Sequence, residues 1–188
     1  QTSNKDKEIL LAIIKFFNDN KRKYNYLEIG SFLGGSLTPF LMDNYCNLIY
    51  SIDKRNQKQD DERNRLWSYE SISELDMIKR LKKCNLDISK LKTFNGDIKN
   101  FKINKKFELA FIDGIHTDTN TFSDFLNTID KVKKDCIILF HDSSVIFKSI
   151  NIIKILLNKK KFKFKLVKFK NSEITGLFFG KFFSFNLK

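Results

Sequence analysis

Apolar residues recur along this chain in two alternating rhythms. Ile9, Leu10, Ile13, Ile14 and Phe17 fall at helical spacing, so residues 6–18 are expected to form an amphipathic helix. Short apolar runs at 25–29, 48–53, 91–95, 107–112 and 136–140 read as buried strands, each bounded by polar or glycine residues. Helices are expected between them, near 36–45, 69–84, 119–132 and 145–158. Ser36 is placed to cap the first of these, and Pro39 is tolerable within its first turn. Two last strands, 162–169 and 174–184, flank a short Asn-Ser-Glu link and should pair as a hairpin. Strands alternating with helices predict an α/β fold, a largely parallel sheet with helices on both faces and one antiparallel strand from the C-terminal hairpin. The chain reads as a single domain over 1–188, with an N-terminal helix in 1–20 and a core over 24–184.

The first strand runs into Tyr26-Leu-Glu-Ile-Gly-Ser-Phe-Leu-Gly-Gly-Ser36, a glycine-rich turn between strand and helix. Glycines there let backbone N–H groups approach a ligand closely, as in nucleotide-type cofactor cradles. The second strand ends in Asp53, spaced as one βαβ unit, where a carboxylate can accept from both hydroxyls of a ribose. The remaining strand ends read Gly96-Asp97, Asp113-Gly114 and His141-Asp142. Ligands of open α/β sheets sit outside these carboxyl ends, and five acids in a row exceed what helix capping accounts for. The only two histidines, His116 and His141, both lie beside strand-end acids, and imidazole is the side chain suited to moving protons near neutral pH.

Composition adds less. With 41% hydrophobic residues in short runs there is no candidate membrane span, and no secretion signal is visible. Three cysteines, widely spaced in apolar settings, read as buried free thiols of a cytoplasmic protein. The missing initiator Met suggests trimming or excision from a longer chain. A net charge of +13 is consistent with nucleic acid, an anionic surface or an acidic substrate as partner. Abundant Lys, Asn, Ile and Phe also fit mere composition bias. The Lys159–Lys165 tract, alternating Lys and Phe, reads as a half-buried strand with one solvated face.

The ordered set Leu-Glu28-Ile-Gly30-Ser-x-x-Gly-Gly-Ser, Ser-Ile-Asp53, Gly96-Asp97, Phe-Ile-Asp113-Gly-x-His116 and Leu-Phe-His141-Asp142 resembles the class I S-adenosylmethionine-dependent methyltransferases. It is most similar to their small-molecule and sugar O-methyltransferase branch. A dinucleotide dehydrogenase would carry Gly-x-Gly-x-x-Gly instead. The resemblance implies a Rossmann-like seven-stranded sheet and S-adenosylmethionine as cofactor. It implies that Glu28, Gly30, Ser31 and Gly34 line the methionine part, that Asp53 holds the ribose, and that Asp97 with the backbone of Ile98 reads the adenine. Asp113 would lie near the sulfonium and ammonium.

Methyl transfer mainly requires alignment of the acceptor, and for a hydroxyl also removal of its proton. His116 could serve as general base. Alternatively, Asp113, His141 and Asp142 could hold a divalent metal, as the similarity to metal-dependent catechol-type methyltransferases implies. His141 stands there in place of a carboxylate, which favours a transition metal over Mg²⁺. The catalytic candidates are therefore Asp113, His116 and His141. The polar stretch Lys54–Tyr69 offers Arg55, Arg63, Arg65, Trp67 and Tyr69 as contacts to a small-molecule or glycan acceptor, suited to an acidic or phosphorylated one. The alternatives are an RNA methyltransferase and a catalytically silent binding module of a longer protein.

Overall fold

The computed structural model describes residues 2–55 and 57–185. Asn56, inside the polar stretch, and the two chain ends lie outside them. The elements run α1 (Asn4–Asp19), β1 (Tyr24–Ile29), α2 (Thr38–Met42), β2 (Cys46–Asp53), β3 (Lys58–Asp60), β4 (Leu66–Ser68), α3 (Glu74–Lys83), β5 (Leu91–Asn95), β6 (Phe107–Ile112), α4 (Asp118–Ile129), β7 (Val132–Phe140), α5 (Phe147–Lys159), β8 (Phe164–Lys168) and β9 (Thr175–Phe179). Seven strands form one sheet in the order β5-β2-β1-β6-β7-β9-β8. All neighbours pair in parallel except around β9, which runs antiparallel to both β7 and β8. This is the mostly parallel α/β sheet with a C-terminal antiparallel pair that the sequence predicts.

The central strands are apolar on both faces because helices cover both. Along β6, Leu109 and Phe111 face one core with Tyr26, Phe40, Met77 and the α1 residues Ile13 and Phe17. Ala110 and Ile112 alternate into the opposite core with Leu27, Phe125, Ile150 and Ile153. Helix α1 starts where Ser3 and Asp6 bond each other's backbone N–H, a reciprocal cap. Helix α3 repeats the device with Ser73 and Asp76.

Several local expectations are corrected. Ser36 does not cap α2; its hydroxyl donates to Glu28 instead, and the helix begins at Thr38 without a side-chain cap. The helix expected over 69–84 is confined to Glu74–Lys83, because its capping pair sits at Ser73–Asp76. The polar stretch before it folds into the small antiparallel ribbon β3–β4. The last strand stops at Phe179, where Gly180 (φ +57) turns the chain into a 3-10 turn ending at Ser184. Most of the Lys159–Lys165 tract is helix end and turn, so strand β8 starts only at Phe164. Cys46 and Cys136 are buried thiols, whereas Cys84 is exposed on the C-terminal cap of α3. Among the described residues, no helix is long and apolar enough to cross a membrane.

The strand order reverses between β1 and β6, with β2 and β5 on one side and β7 on the other. The ladder continues past the strand ends. Gly30 N–H donates to Ile52 O at 2.8 Å, Asp113 N–H to Ile29 O at 2.9 Å and His141 N–H to Ile112 O at 3.0 Å. At this crossover the backbones nearly touch, since a Cβ on Gly30 (φ +86) would lie 1.9 Å from Asp113 O. Gly30→Ala therefore meets both a left-handed φ and a backbone clash, and is expected to destabilise by about 2–4 kcal/mol. Gly35, whose Cβ would meet nothing within 4 Å, serves as control. Thermal denaturation should place Gly30→Ala about 5–12 °C below wild type, with Gly35→Ala close to it.

Candidate functional site

The glycine turn is built around a buried acid. Glu28 is fully enclosed and accepts from Tyr26 Oη at 2.5 Å and from Ser36 Oγ at 2.6 Å. Burial raises its carboxyl against those two bonds, Asp113 adds to the rise, and the net value is about 7. Phe32 adopts φ +46, a left-handed conformation unusual for an aromatic residue, and its N–H donates to Asp53 Oδ2 at 2.6 Å. Ser31 is buried, and its hydroxyl lies against the Glu28 carboxyl, helping to hold its pKa down. Gly34 (φ +75) is packed on Met77 and Leu81, while Gly35 borders open space. The turn thus offers a buried acid, a hydroxyl beside it and an unfilled flank.

Asp53 closes β2 beside this turn. Burial raises its carboxyl, with Arg55 and the Phe32 N–H opposing. Arg55 was expected to reach an acceptor, but its side chain is buried, with Nη2 3.2 Å from Met77 Sδ and 3.8 Å from Asp53 Oδ2. It supports the strand-end acid from below. Asp97 is half-exposed between Lys54 and Lys99, and Ile98, buried behind it, opens a 3-10 turn.

Asp113, His116, His141 and Asp142 converge at the ends of β6 and β7. His116 Nε2 lies 3.4 Å from Asp113 Oδ1 and its Nδ1 3.2 Å from Asp142 Oδ2. His141 Nδ1 lies 3.1 Å from Asp113 Oδ1 and 3.0 Å from Asp142 Oδ2. Asp142 reaches back because its backbone is left-handed, φ +49. Burial alone would lower the His141 pKa, but Asp113 and then Asp142 raise it to about 11. Both carboxyls are held below their usual value: burial raises them, and the two imidazoles more than offset it. Ligand atoms of Asp113, His141 and Asp142 all lie within 4.8 Å of one another, a spacing that fits one divalent ion.

The ribbon β3–β4 stands beside this cluster and was not anticipated. Its organiser is Asp61, which accepts from Arg63 N–H at 2.8 Å, Arg63 Nε at 2.8 Å, Arg65 N–H at 3.1 Å and Trp67 Nε1 at 3.2 Å. These bonds outweigh burial and keep its carboxyl well below the usual range. Glu62 ties the ribbon to the site: its N–H donates to His116 O at 3.0 Å, and its carboxylate accepts from Asp118 N–H at 2.7 Å. Arg63 adds to the field that keeps Asp142 ionised. Tyr69 is half-buried with its ring edge-on to Phe32 at 5.3 Å; burial, then the charges of Asp113 and Asp53, raise its phenol. The sequence signal for the ribbon is faint, an Asp-Glu-Arg-Asn turn with Asn64 left-handed at φ +56.

Residues 27–143 match the family described as a methyltransferase domain. The chain belongs to that family. It is a class I S-adenosylmethionine-dependent methyltransferase, with the seven-stranded Rossmann-like sheet of that class. No curated protein matches it by sequence. Among solved structures it is similar to the O-methyltransferase NovP, at 14% identity and TM-score 0.71 over 93% of this chain and 78% of that one. It is similar to the N-methyltransferase NodS from Bradyrhizobium japonicum bound to S-adenosylhomocysteine, at 12% identity and TM-score 0.57 over 95% and 89%. It is also similar to the O-methyltransferase TomG from Streptomyces achromogenes bound to S-adenosylmethionine, at 10% identity and TM-score 0.59 over 89% and 78%. At such identities these likenesses speak for the fold.

Glu28 generates a linkage prediction. With a pKa of about 7, against 4.5 for the free side chain, it holds its proton through mildly acid pH. A cation placed against Glu28 favours the ionised form, so binding of such a ligand releases a proton below neutrality and its affinity rises with pH up to about 7. Calorimetric titration near pH 6 in buffers of different ionisation enthalpy should register that proton, and Glu28→Gln should abolish it.

Proposed function

We propose that this methyltransferase methylates a hydroxyl group of a small molecule or glycan bearing an anionic substituent. The observation that carries this reading is the meeting of Asp113, His116, His141 and Asp142 beside the Gly30 turn, which puts two imidazoles and two carboxylates next to the cofactor cradle. An amine or a carbon acceptor would have less use for so dense a set of proton- and cation-binding groups.

In this reading Glu28, Gly30, Ser31 and Gly34 surround the methionine moiety, with the Ser31 hydroxyl beside the Glu28 carboxyl in the same turn. Asp53 takes the ribose hydroxyls, and Asp97 with the Ile98 backbone takes the adenine edge. Asp113 faces the sulfonium side, where its negative charge favours the cationic cofactor. Asp113, His141 and Asp142 would hold a divalent ion, whose charge would make an acceptor hydroxyl more acidic. His116 stands against both carboxylates, and its imidazole accepts the acceptor's proton. Alignment by the walls of the site lowers the remaining barrier for in-line displacement.

The ribbon forms the acceptor-side wall. Arg63, Arg65 and Trp67 project from it, exposed, and supply cationic and apolar surface for an acidic or phosphorylated acceptor. The lysine-rich segment at the start of β8 lies at the opposite edge of the sheet, where the parallel strands begin. That separation weighs against reading the net charge as an RNA-binding track to this site.

His116→Ala is expected to reduce turnover by about 10²–10⁴-fold while leaving the cofactor dissociation constant within about twofold. Retained turnover would remove the base role. Asp53→Ala should weaken S-adenosylmethionine sharply in calorimetry; a wild-type protein that binds none would overturn the whole reading. Asp61→Ala, which releases the ribbon's internal bonds, should raise the acceptor KM with cofactor affinity unchanged. Kinetics at saturating cofactor would separate these two effects.

A further inference from the structure

His141 is held from behind by a residue far away in sequence. Its Nε2 lies 3.4 Å from Oδ2 of Asp6, in the first turn of α1. Asp6 is almost fully buried, and its oxygens accept from Ser3 N–H at 2.8 Å, Ser172 Oγ at 2.7 Å and Glu173 N–H at 2.9 Å. A carboxylate gripped by three donors from two segments is held in place. The Phe111 ring, edge-on at 5.9 Å, restrains the imidazole from the side.

Without an ion, the proton on His141 Nδ1 is held between Asp113 and Asp142. A cation there displaces it to solvent and leaves a neutral imidazole with one N–H, whose location decides whether His141 can stay bound. On Nδ1 the hydrogen would point at Asp113 and Asp142 and occupy the ion's place. On Nε2 it is donated to Asp6, and the Nδ1 lone pair faces the two carboxylates. Three negative or electron-rich atoms then converge, an arrangement that favours a cation among them. Carboxylates that orient metal-bound histidines in this way commonly change metal affinity by about 10–100-fold.

We propose that Asp6 is the positioning residue that makes His141 Nδ1 a metal ligand, so that helix α1 is part of the metal centre. This rests on the metal reading of Asp113, His141 and Asp142 above. A nitrogen ligand from His141 sets the ion's class, favouring Mn²⁺ or Co²⁺ over Mg²⁺.

The test is direct binding of Mn²⁺ or Co²⁺ to the full chain by calorimetry, with the Co²⁺ visible spectrum as a second readout and no substrate present. Wild type and Ser172→Ala should bind alike, because the latter removes one Asp6 bond and leaves the His141 contact. Asp6→Asn should lose about 10–100-fold in affinity and shift the Co²⁺ bands. If wild type and Asp6→Asn bind equally while Asp142→Asn does not, the Asp6 role falls and the metal centre stands. If wild type binds neither ion, the metal reading falls and takes this inference with it. Should Asp6→Asn fail to fold, nitrogen-15 spectroscopy of the two histidines in Zn²⁺-loaded wild type decides: His141 protonated on Nε2 supports the proposal, and protonated on Nδ1 overturns it.

Discussion

Everything at the active edge depends on how closely β1 and β6 come together as they leave the sheet. Gly30 has no Cβ because Asp113 O occupies that space. The absence of one methyl group lets the glycine turn and the acid–histidine loop share a boundary. The ladder bonds from Gly30 to Ile52, Asp113 to Ile29 and His141 to Ile112 then fix the three strand-end segments to one platform. Side chains on such a platform keep their spacing without relying on loop packing, which is what in-line chemistry requires.

Charge within the site is arranged by mutual neutralisation rather than by solvent. Asp113 and Asp142 would repel each other, yet both are kept ionised by His116 and His141 between them. Glu28, one turn away and without a cation beside it, moves in the opposite direction. Two similar acids at adjacent strand ends thus hold different protonation states near neutrality, for reasons visible in their neighbours.

The sheet is legible because its central strands are apolar on both faces and end beside an acid or a glycine. The strand-end residues follow from that reading, since a parallel sheet collects its carboxyl ends along one edge. Other parts depend on tertiary contacts that leave no periodic trace. Asp6 reads in the sequence as one more polar position on an amphipathic helix, and only folding brings it to His141. Arg55 reads as a loop cation until Met77 and Ser51 enclose it. The ribbon escaped notice because its strands are three residues each and exposed, so no burial pattern marks them. Ser36 was misread because a hydroxyl before a helix has two uses, and the buried acid claimed this one.

Asp61 and Glu62 are consecutive residues with separate duties. The first gathers the ribbon's own backbone and side chains, and the second moors it to the loop carrying His116. The mooring is made at one end of the ribbon, so the exposed residues beyond it, such as Leu66 and Ser68, can vary without disturbing the loop that carries His116. A fold wired this way lets a few exposed ribbon positions change while the strand-end cluster of acids and histidines keeps its geometry.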